Sequence, residues 1–506
     1  LAPGDSATTA TLARALLTRG RPAEAARLLD EIPESRMQPG LMRIAADARA
    51  RAVRLKEAEE LYRELLQGDP TDREVTAALV DLYEEQDRLD AALSLLRDLE
   101  KRDPENQGVT ERITLDLARA GRFEEAEKRA RELAAHRPEN RPIRRLLAQV
   151  LFEKGDVEAG EKILRDLVKT DPEDGSARRS LATELVREKR FPEARALWEE
   201  SLRRLGTDPK NAAERLAVSV ELGYLSYLEK DYAAARKALE PIPPAGGPAS
   251  ARATRVLLAV ARDSEDFPAG LARARAAATA ETDNPEWAAA VAELQYRSGD
   301  RKTAVETLEK LALSEEPERV LAAADAYARV KDFGAAARVA RDASRRFPES
   351  SEALFRLGSS LERAGTQPES EKIFLELRKT RPNDSAAQNY LGYMWADRGV
   401  NLEKARELLE KAVAREPRNG AYLDSLGWLY FRQGKLDAAQ RNLLEAHRRE
   451  PDDPTIEEHL GGLLERQGEV AKAVAHWERA LTLKPDEPEK LRKKLLRHAR
   501  RASEKQ

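Results

Sequence analysis

The histidines come nearest to a metal-binding pattern in this sequence. The chain has five, and His447, His459 and His476 follow one another at short intervals near its end. Imidazole is a common zinc ligand, but a zinc-binding helix of the His-Glu-x-x-His type places its two histidines four residues apart. No histidine pair here has that spacing, so the sequence predicts no metal site.

Other groups that could perform catalysis form no specific pattern. The absence of cysteine excludes disulfides, thiolate metal sites and cysteine nucleophiles. Gly246-Gly247 is followed by Pro248 rather than by Lys-Ser, so it is not a phosphate-binding P-loop. Carboxylate pairs are abundant among 91 acidic residues, and none stands out as an acid–base pair. We therefore expect a protein that is not an enzyme and binds no cofactor.

Composition narrows the possible partners. The formal net charge is only −3 over 506 residues, which gives no global argument for binding nucleic acid. No run of about 18 apolar residues is present, so we expect no membrane-spanning helix. Charged residues make up 35% of the chain and aromatic residues 5%. This balance is typical of stacked amphipathic helices whose outer surfaces face water.

A repeat of about 34 residues organises the chain and is clearest between residues 385 and 485. Leu-Gly occurs three times there, beginning at Leu391, Leu426 and Leu460. Two further ladders of prolines mark the ends of the units. The early ladder is Pro70, Pro104, Pro138 and Pro172, and the late one is Pro348, Pro382, Pro417, Pro451 and Pro485. A fixed period of this length indicates a repeat protein.

The repeat that contains Leu426 predicts two packed helices. Its apolar residues recur three and four positions apart, which places them on one face of each helix. Gly434 can end the first helix in a left-handed turn. Small side chains at Gly427 and Ala439 let the two helices approach closely, and Leu443 fills the space beside them.

This pattern resembles the tetratricopeptide repeat (TPR), whose signature is Leu-Gly-x2-Tyr followed by Ala, a bulky residue, Ala and Pro. The resemblance implies an all-α, right-handed superhelical solenoid of about fourteen TPR helix-turn-helix repeats. The segment 489–502 is expected to be a C-terminal capping helix, because terminal repeats need a polar outer cover. Its cations also suit an acidic partner or a membrane surface, but a solvated outer face is the favoured interpretation.

The spacing of the repeats predicts four parts. These are an N-terminal TPR array at 1–172, a central degenerate array with loop insertions at 173–348, a C-terminal array at 349–487, and a capping helix with a basic tail at 488–506. We expect an insertion around 205–211, where the period lengthens. The proline-rich segment 241–248 is either a hinge or a long turn, and the turn is favoured because periodicity resumes soon after it.

In TPR proteins, positions 2, 5, 9 and 12 of the first helix face a binding groove. Carried onto this chain, these positions and one neighbour give the candidate groove residues Phe355, Asn389, Tyr393, Asp424, Trp428, Phe431 and Arg432. Exposed aromatic residues beside polar ones suit capture of a protein or peptide partner. The alternative is that they pack against the next repeat. Position 9 holds no Asn in the last four repeats, so we do not expect capture of a chaperone's C-terminal carboxylate.

Residues 391–398 and 422–428 also look like the C-terminal repeats of bacterial TPR lipoproteins, over about the last quarter of the chain. That group includes a periplasmic adaptor of a carboxyl-terminal processing protease. The resemblance implies a periplasmic adaptor with a lipid anchor in the outer membrane, although residue 1 is Leu rather than the Cys of a processed lipoprotein. Alternatives are an assembly scaffold for envelope polysaccharide or pilus machinery, the regulatory arm of an enzyme, and a cytoplasmic location. Residues 1–9 fit either a trimmed targeting segment or an excised domain.

Overall fold

A computed structural model describes residues 6–33 and 37–503, and the side chains within these ranges up to residue 498. The regular structure of the described residues is entirely helical. The first eight helix pairs are α1 (Ser6–Thr18) and α2 (Pro22–Asp30), α3 (Pro39–Arg51) and α4 (Leu55–Gly68), α5 (Arg73–Glu85) and α6 (Leu89–Arg102), α7 (Gln107–Arg119) and α8 (Phe123–His136), α9 (Arg141–Lys154) and α10 (Val157–Thr170), α11 (Gly175–Arg187) and α12 (Phe191–Leu205), α13 (Ala212–Leu228) and α14 (Tyr232–Leu239), and α15 (Pro248–Asp263) and α16 (Phe267–Ala280).

The remaining six pairs follow without a break and are succeeded by a single helix. They are α17 (Pro285–Arg297) and α18 (Arg301–Ala312), α19 (Pro317–Arg329) and α20 (Phe333–Arg346), α21 (Ser351–Arg363) and α22 (Gln367–Thr380), α23 (Ser385–Arg398) and α24 (Leu402–Arg415), α25 (Gly420–Arg432) and α26 (Leu436–Arg449), and α27 (Pro454–Arg466) and α28 (Val470–Thr482), and the last helix is α29 (Pro488–Ser503). The predicted all-α TPR fold with about fourteen repeats is confirmed.

The pair α25 and α26 is held together by a close contact that the sequence predicted. A Cβ atom added to Gly427 would lie 2.8 Å from Cγ of Leu443, so only glycine fits between the two helices. The side chains of Ala439 and Leu443 are fully buried. The same contact recurs in the next repeat, where a Cβ atom on Gly461 would lie 2.4 Å from Cδ1 of Trp477.

The loop inside every described pair contains a residue with positive φ shortly after the first helix, and the loop between α23 and α24 has a second one, Asn401. In eight loops it is glycine: Gly20, Gly121, Gly155, Gly299, Gly365, Gly399, Gly434 and Gly468. In six loops it is a residue with a side chain: Val53, Asp87, Lys189, Lys230, Glu265 and Lys331. The left-handed turn predicted at Gly434 is therefore confirmed, with φ at +77°. The turn is a property of the repeat, since it forms even where a side chain disfavours it.

The middle of the chain is irregular at the places where the spacing of the repeats predicted an insertion and a turn. The segment after α12 forms a short 3-10 turn at Pro209–Asn211, and α13 is lengthened to 17 residues. Residues 241–248 form a turn between α14 and α15 that is fixed to the following repeat. Arg273 donates hydrogen bonds to the carbonyl oxygens of Ile242 at 2.8 Å and Pro243 at 3.1 Å.

The chain divides into two compact units. The first comprises Leu1–Thr110 and Leu164–Ile373, and the second comprises Glu111–Ile163 and Phe374–Gln506. Each unit therefore joins segments that are far apart in sequence. In the first unit, the backbone N–H of Ala23 donates to the Glu316 carboxylate at 3.0 Å. Such contacts favour a carboxylate because the N-terminus of a helix is electropositive. The four-part division expected from the sequence stays a prediction.

The second unit also has contacts between residues far apart in sequence, but there a cation meets the C-terminus of a helix. Arg415 donates from Nε to the carbonyl oxygen of Arg119, the last residue of α7, at 2.8 Å. Arg418 donates to the carbonyl oxygen of Phe152 in the last turn of α9 at 3.2 Å. Carbonyls at a helix C-terminus lack partners in their own helix, and cations stabilise them.

The last helix covers the end of the array, as expected for a capping helix. Leu491 of α29 is fully buried and packs with Trp477 of α28. Lys494 pairs with Glu458 at 2.6 Å, and His498 lies 2.7 Å from Glu465. The expectations for residues 1–5 and for the basic tail at 504–506 lie outside the described residues. None of the helices in the described part of the chain is long and apolar enough to cross a membrane.

The positive φ at Lys189 allows a direct test of the loop geometry. Lys189 is exposed and has φ of +60°. We expect Lys189→Gly to stabilise the protein by about 1 kcal/mol, because glycine removes the steric cost of the left-handed conformation. The measurement is the midpoint of thermal unfolding.

The matched control lies in the loop of the preceding repeat. Gly155 has φ of +96°, and a Cβ atom there would meet nothing within 4 Å. Gly155→Ala should therefore destabilise through the backbone alone. A lower unfolding midpoint for Lys189→Gly would contradict the assigned loop conformation.

Candidate functional site

The first helices of the last three repeats, α23, α25 and α27, carry the candidate site. Each begins at a side chain that accepts backbone N–H groups: Asp384 from Ala387, Asn419 from Tyr422, and Asp453 from Thr455 and Ile456. Such N-caps fix where a helix starts and therefore which residues share a face. With this register, Tyr393 and Trp428 occupy the same position in consecutive repeats.

Trp428 lies at the centre of a stack of three rings. Its ring centroid is 4.9 Å from that of Phe431, with 18° between the planes. It is also 4.1 Å from the ring centroid of His459 of α27, with 11° between the planes. Trp428 and Phe431 are both half-buried, so the stack keeps part of its surface in water.

Tyr393 extends this stack onto the preceding repeat. Its ring centroid lies 6.2 Å from that of His459, at 43°, and its side chain is half-buried. We call Tyr393, Trp428, Phe431 and His459 the aromatic cluster. It bridges α23, α25 and α27, so its shape depends on the packing of three repeats.

Two charged residues border the aromatic cluster. Nε1 of Trp428 donates to Oδ1 of Asp397 at 3.3 Å, and Asp397 remains 49% exposed. Arg432 donates to the backbone carbonyl of Asp397, and its guanidinium lies 5.9 Å from the Trp428 ring centroid. A cation at that distance from a tryptophan ring adds a modest attraction. The edge of the cluster therefore presents both a negative and a positive group.

His459, one of the stacked rings, forms a buried pair with Asp424. Each is 5% exposed, and Nδ1 of His459 lies 2.9 Å from both carboxylate oxygens of Asp424. Burial lowers the pKa of His459, whereas the charge and hydrogen bond of Asp424, followed by the charges of Glu458 and Asp397, raise that pKa. The net result is a raised pKa, which favours an imidazolium paired with the Asp424 carboxylate.

Five of the seven candidate residues meet around His459 or Trp428: Tyr393, Asp424, Trp428, Phe431 and Arg432. Asn389 lies one turn before Tyr393 on α23, and its buried Oδ1 accepts no hydrogen bond within the described residues. Phe355 is half-buried on α21, in the first unit. Their role in binding stays a prediction.

The structure adds two details to the interpretation of the sequence. The sequence predicts Asp424 as a polar residue of the groove, but its side chain is buried and bonded to His459. Trp428 contacts the next repeat, as the alternative interpretation held, and stays half-exposed as well. Sequence reasoning missed His459 and Asp397. The signal for His459 was its spacing of 35 residues from Asp424, which is one repeat.

The two other histidines of this region, His447 and His476, lie beside a buried glutamate. Glu457 is fully buried and accepts from Nε of Arg479 at 2.7 Å, while Nδ1 of His476 lies 2.5 Å away and that of His447 3.4 Å away. Among the residues that the structure describes, no group of three or more His, Asp or Glu side chains is arranged to hold a metal ion.

The raised pKa of His459 predicts a pH-dependent stability. Unfolded histidine has a pKa of about 6.5, and the folded value lies above it. The stabilisation is therefore fully present below about pH 6.5 and is lost as pH rises through the folded pKa. We expect Asp424→Asn to lower the pKa of His459 and to flatten this decline. The measurements are unfolding midpoints across the pH range and NMR titration of the His459 ring.

Asp397→Asn is the matched control, because Asp397 contacts Trp428 rather than His459. It should lower the pKa of His459 less than Asp424→Asn does. The His459 signal can be assigned with His459→Gln. Titration of His459 at or below the ordinary histidine pKa in the unsubstituted protein would contradict the pairing.

Comparison with known proteins agrees with this architecture. One family model described as tetratricopeptide repeat matches residues 50–109 and 117–185. A second with the same description matches residues 11–73, 321–385 and 425–488. Together these segments cover more than half of the chain.

Individual relatives are similar over shorter stretches or at low identity. The TPR repeat-containing protein PA4667 of Pseudomonas aeruginosa is 36% identical over 97 residues, which are 19% of this chain and only 16% of that protein. Yeast Tom70 is 12% identical, with a TM-score of 0.35, and the match covers 99% of this chain and 96% of Tom70. TTC0263 of Thermus thermophilus is 23% identical, with a TM-score of 0.32, over 36% of this chain and 97% of TTC0263. On the strength of the family models, the chain belongs to the tetratricopeptide-repeat family.

Proposed function

We propose that this protein is a non-catalytic scaffold that binds a protein partner through the aromatic cluster on α23, α25 and α27. The observation that carries the proposal is the stack of half-exposed rings at Trp428 and Phe431. Aromatic side chains provide large contact areas and lose little conformational entropy on binding. Binding of protein partners is also the role that membership in the TPR family supports.

The buried pair of Asp424 and His459 makes the site rigid before a partner arrives. His459 is fixed by two contacts of 2.9 Å to Asp424, and its ring lies flat against Trp428. A residue that is already ordered loses less freedom when a partner docks. Trp428 is therefore preorganised as an anchor, and Asp397 and Arg432 at the edge can select the orientation of a polar partner segment.

The finer part of the proposal is a role as a periplasmic adaptor, anchored at the outer membrane and serving a carboxyl-terminal processing protease. Its support is the resemblance of residues 391–398 and 422–428 to bacterial TPR lipoproteins. The alignment with a Pseudomonas aeruginosa TPR protein is consistent with a bacterial setting. A scaffold for envelope polysaccharide or pilus assembly, and the regulatory arm of an enzyme, are the alternatives.

The location can be tested with the full-length native protein. We expect fractionation of the source bacterium to recover it in the periplasmic or outer-membrane fraction, together with a processing protease. Exclusive recovery in the cytoplasmic fraction would contradict the envelope proposal. It would not bear on partner binding by the aromatic cluster, which the affinity of Trp428→Ala tests separately.

The binding role predicts the effect of Trp428→Ala. We expect partner affinity to fall about thirtyfold, since loss of a central aromatic anchor costs roughly 2 kcal/mol. The unfolding midpoint should also fall somewhat, because the stack with His459 is lost, while helix content should remain. Affinity for the captured partner is measured by calorimetry below the unfolding midpoint of the variant.

The matched control is Phe333→Ala, which removes another half-buried ring that lies beside a cation, Arg363, in the first unit. This variant should bind the partner with unchanged affinity. If Trp428→Ala binds normally but melts early, its ring serves only the packing between repeats. Equal loss of affinity in both variants would place the partner elsewhere.

A further inference from the structure

Three arginines converge on one buried glutamate in the first unit. Glu293 of α17 is fully buried. Arg262 of α15 binds it with two hydrogen bonds, from Nε at 2.8 Å and from a terminal nitrogen at 2.9 Å. Nε of Arg297 lies 3.1 Å from one carboxylate oxygen, and Nε of Arg329 of α19 lies 2.7 Å from the other. We call these four residues the arginine cluster.

The arginine cluster has two positive charges more than its own carboxylate balances. A single bidentate arginine already satisfies the charge of a buried carboxylate. Two further guanidinium groups at the same carboxylate repel one another and the first. This repulsion is relieved when another anion joins the cluster.

Nearby carboxylates are already engaged elsewhere. Asp325 of α19 accepts two hydrogen bonds from Arg356, at 2.8 Å and 3.1 Å. Asp263, next to Arg262 in the chain, accepts from the Tyr227 hydroxyl at 3.0 Å. Within the described residues, neither of these carboxylates forms a hydrogen bond or an ion pair with Arg262, Arg297 or Arg329.

The arginines also keep hydrogen-bond donors available. Their side chains are 26%, 31% and 39% exposed for Arg262, Arg297 and Arg329. One terminal nitrogen of Arg297 donates a hydrogen bond to the carbonyl oxygen of Arg329 at 2.7 Å. Within the described part of the chain, several terminal guanidinium nitrogens make no hydrogen bond. They are the second terminal nitrogen of Arg297, one terminal nitrogen of Arg262 and both terminal nitrogens of Arg329. Each guanidinium therefore retains at least one donor for an incoming group.

We propose that the arginine cluster binds a carboxylate side chain in an acidic segment of a protein partner. The planar donors of arginine match a carboxylate, and charge-assisted hydrogen bonds of this kind are the stronger ones. Asp263 follows Arg262 in the chain and Asp325 lies one helical turn before Arg329, so negative charges alternate with the arginines along these helices. A nucleic acid would need a longer track of cations. This site lies in the first unit and does not depend on the aromatic cluster.

The probe is a fluorescein-labelled octaglutamate, with octaglutamine as its uncharged match, measured by fluorescence anisotropy at low ionic strength. We expect the protein to bind octaglutamate and not octaglutamine. Arg329→Gln should weaken octaglutamate binding by about fivefold to tenfold. Glu293 would still be held by Arg262 and Arg297 in this variant, so unchanged circular dichroism is expected.

Arg345→Gln is the matched control for charge, because Arg345 is exposed on the second helix of its repeat. It should leave octaglutamate binding unchanged. Trp428→Ala should also leave it unchanged, because Trp428 belongs to the aromatic cluster and not to the arginine cluster. Absence of octaglutamate binding would overturn the proposal. So would equal weakening by Arg345→Gln, or tighter binding of an oligothymidylate of the same length.

Discussion

The close approach of the two helices within the C-terminal repeats is the constraint on which the candidate site depends. Gly427 against Leu443 and Gly461 against Trp477 leave no room for a Cβ atom. Such a contact fixes how one helix is rotated against the other, because any larger residue would force them apart. It thereby decides which residues of the first helix remain on the outside, including Trp428.

Polar pairs between repeats then give these outer faces their chemistry. Asp424 and His459 come from successive first helices, as do Arg262 and Glu293. In the first case the buried pair supports an aromatic surface. In the second it collects positive charge around one carboxylate. The same stacking of repeats therefore produces two surfaces of different character, one in each compact unit.

The sequence was sufficient to predict the contacts within a repeat, because residues such as Gly427 and Leu443 recur at a fixed spacing. It predicted the turn at Gly434 but not the one at Lys189, where the repeat imposes a conformation that the residue type does not favour. Contacts between repeats were harder to predict. The position of Asp424 in the repeat predicts a groove residue, whereas its actual partner, His459, comes from the next repeat, 35 residues later. The sequence could not single out Glu293 among 91 acidic residues, because only the fold brings three arginines to it.

The central claim is that the first helices of the last three repeats form the surface that binds a partner. Hydrogen–deuterium exchange of the protein with and without its captured partner tests this most directly. The account predicts slower exchange in α23, α25 and α27 when the partner is bound, with little change in α24 and α26. Protection confined to α24 and α26 would contradict it.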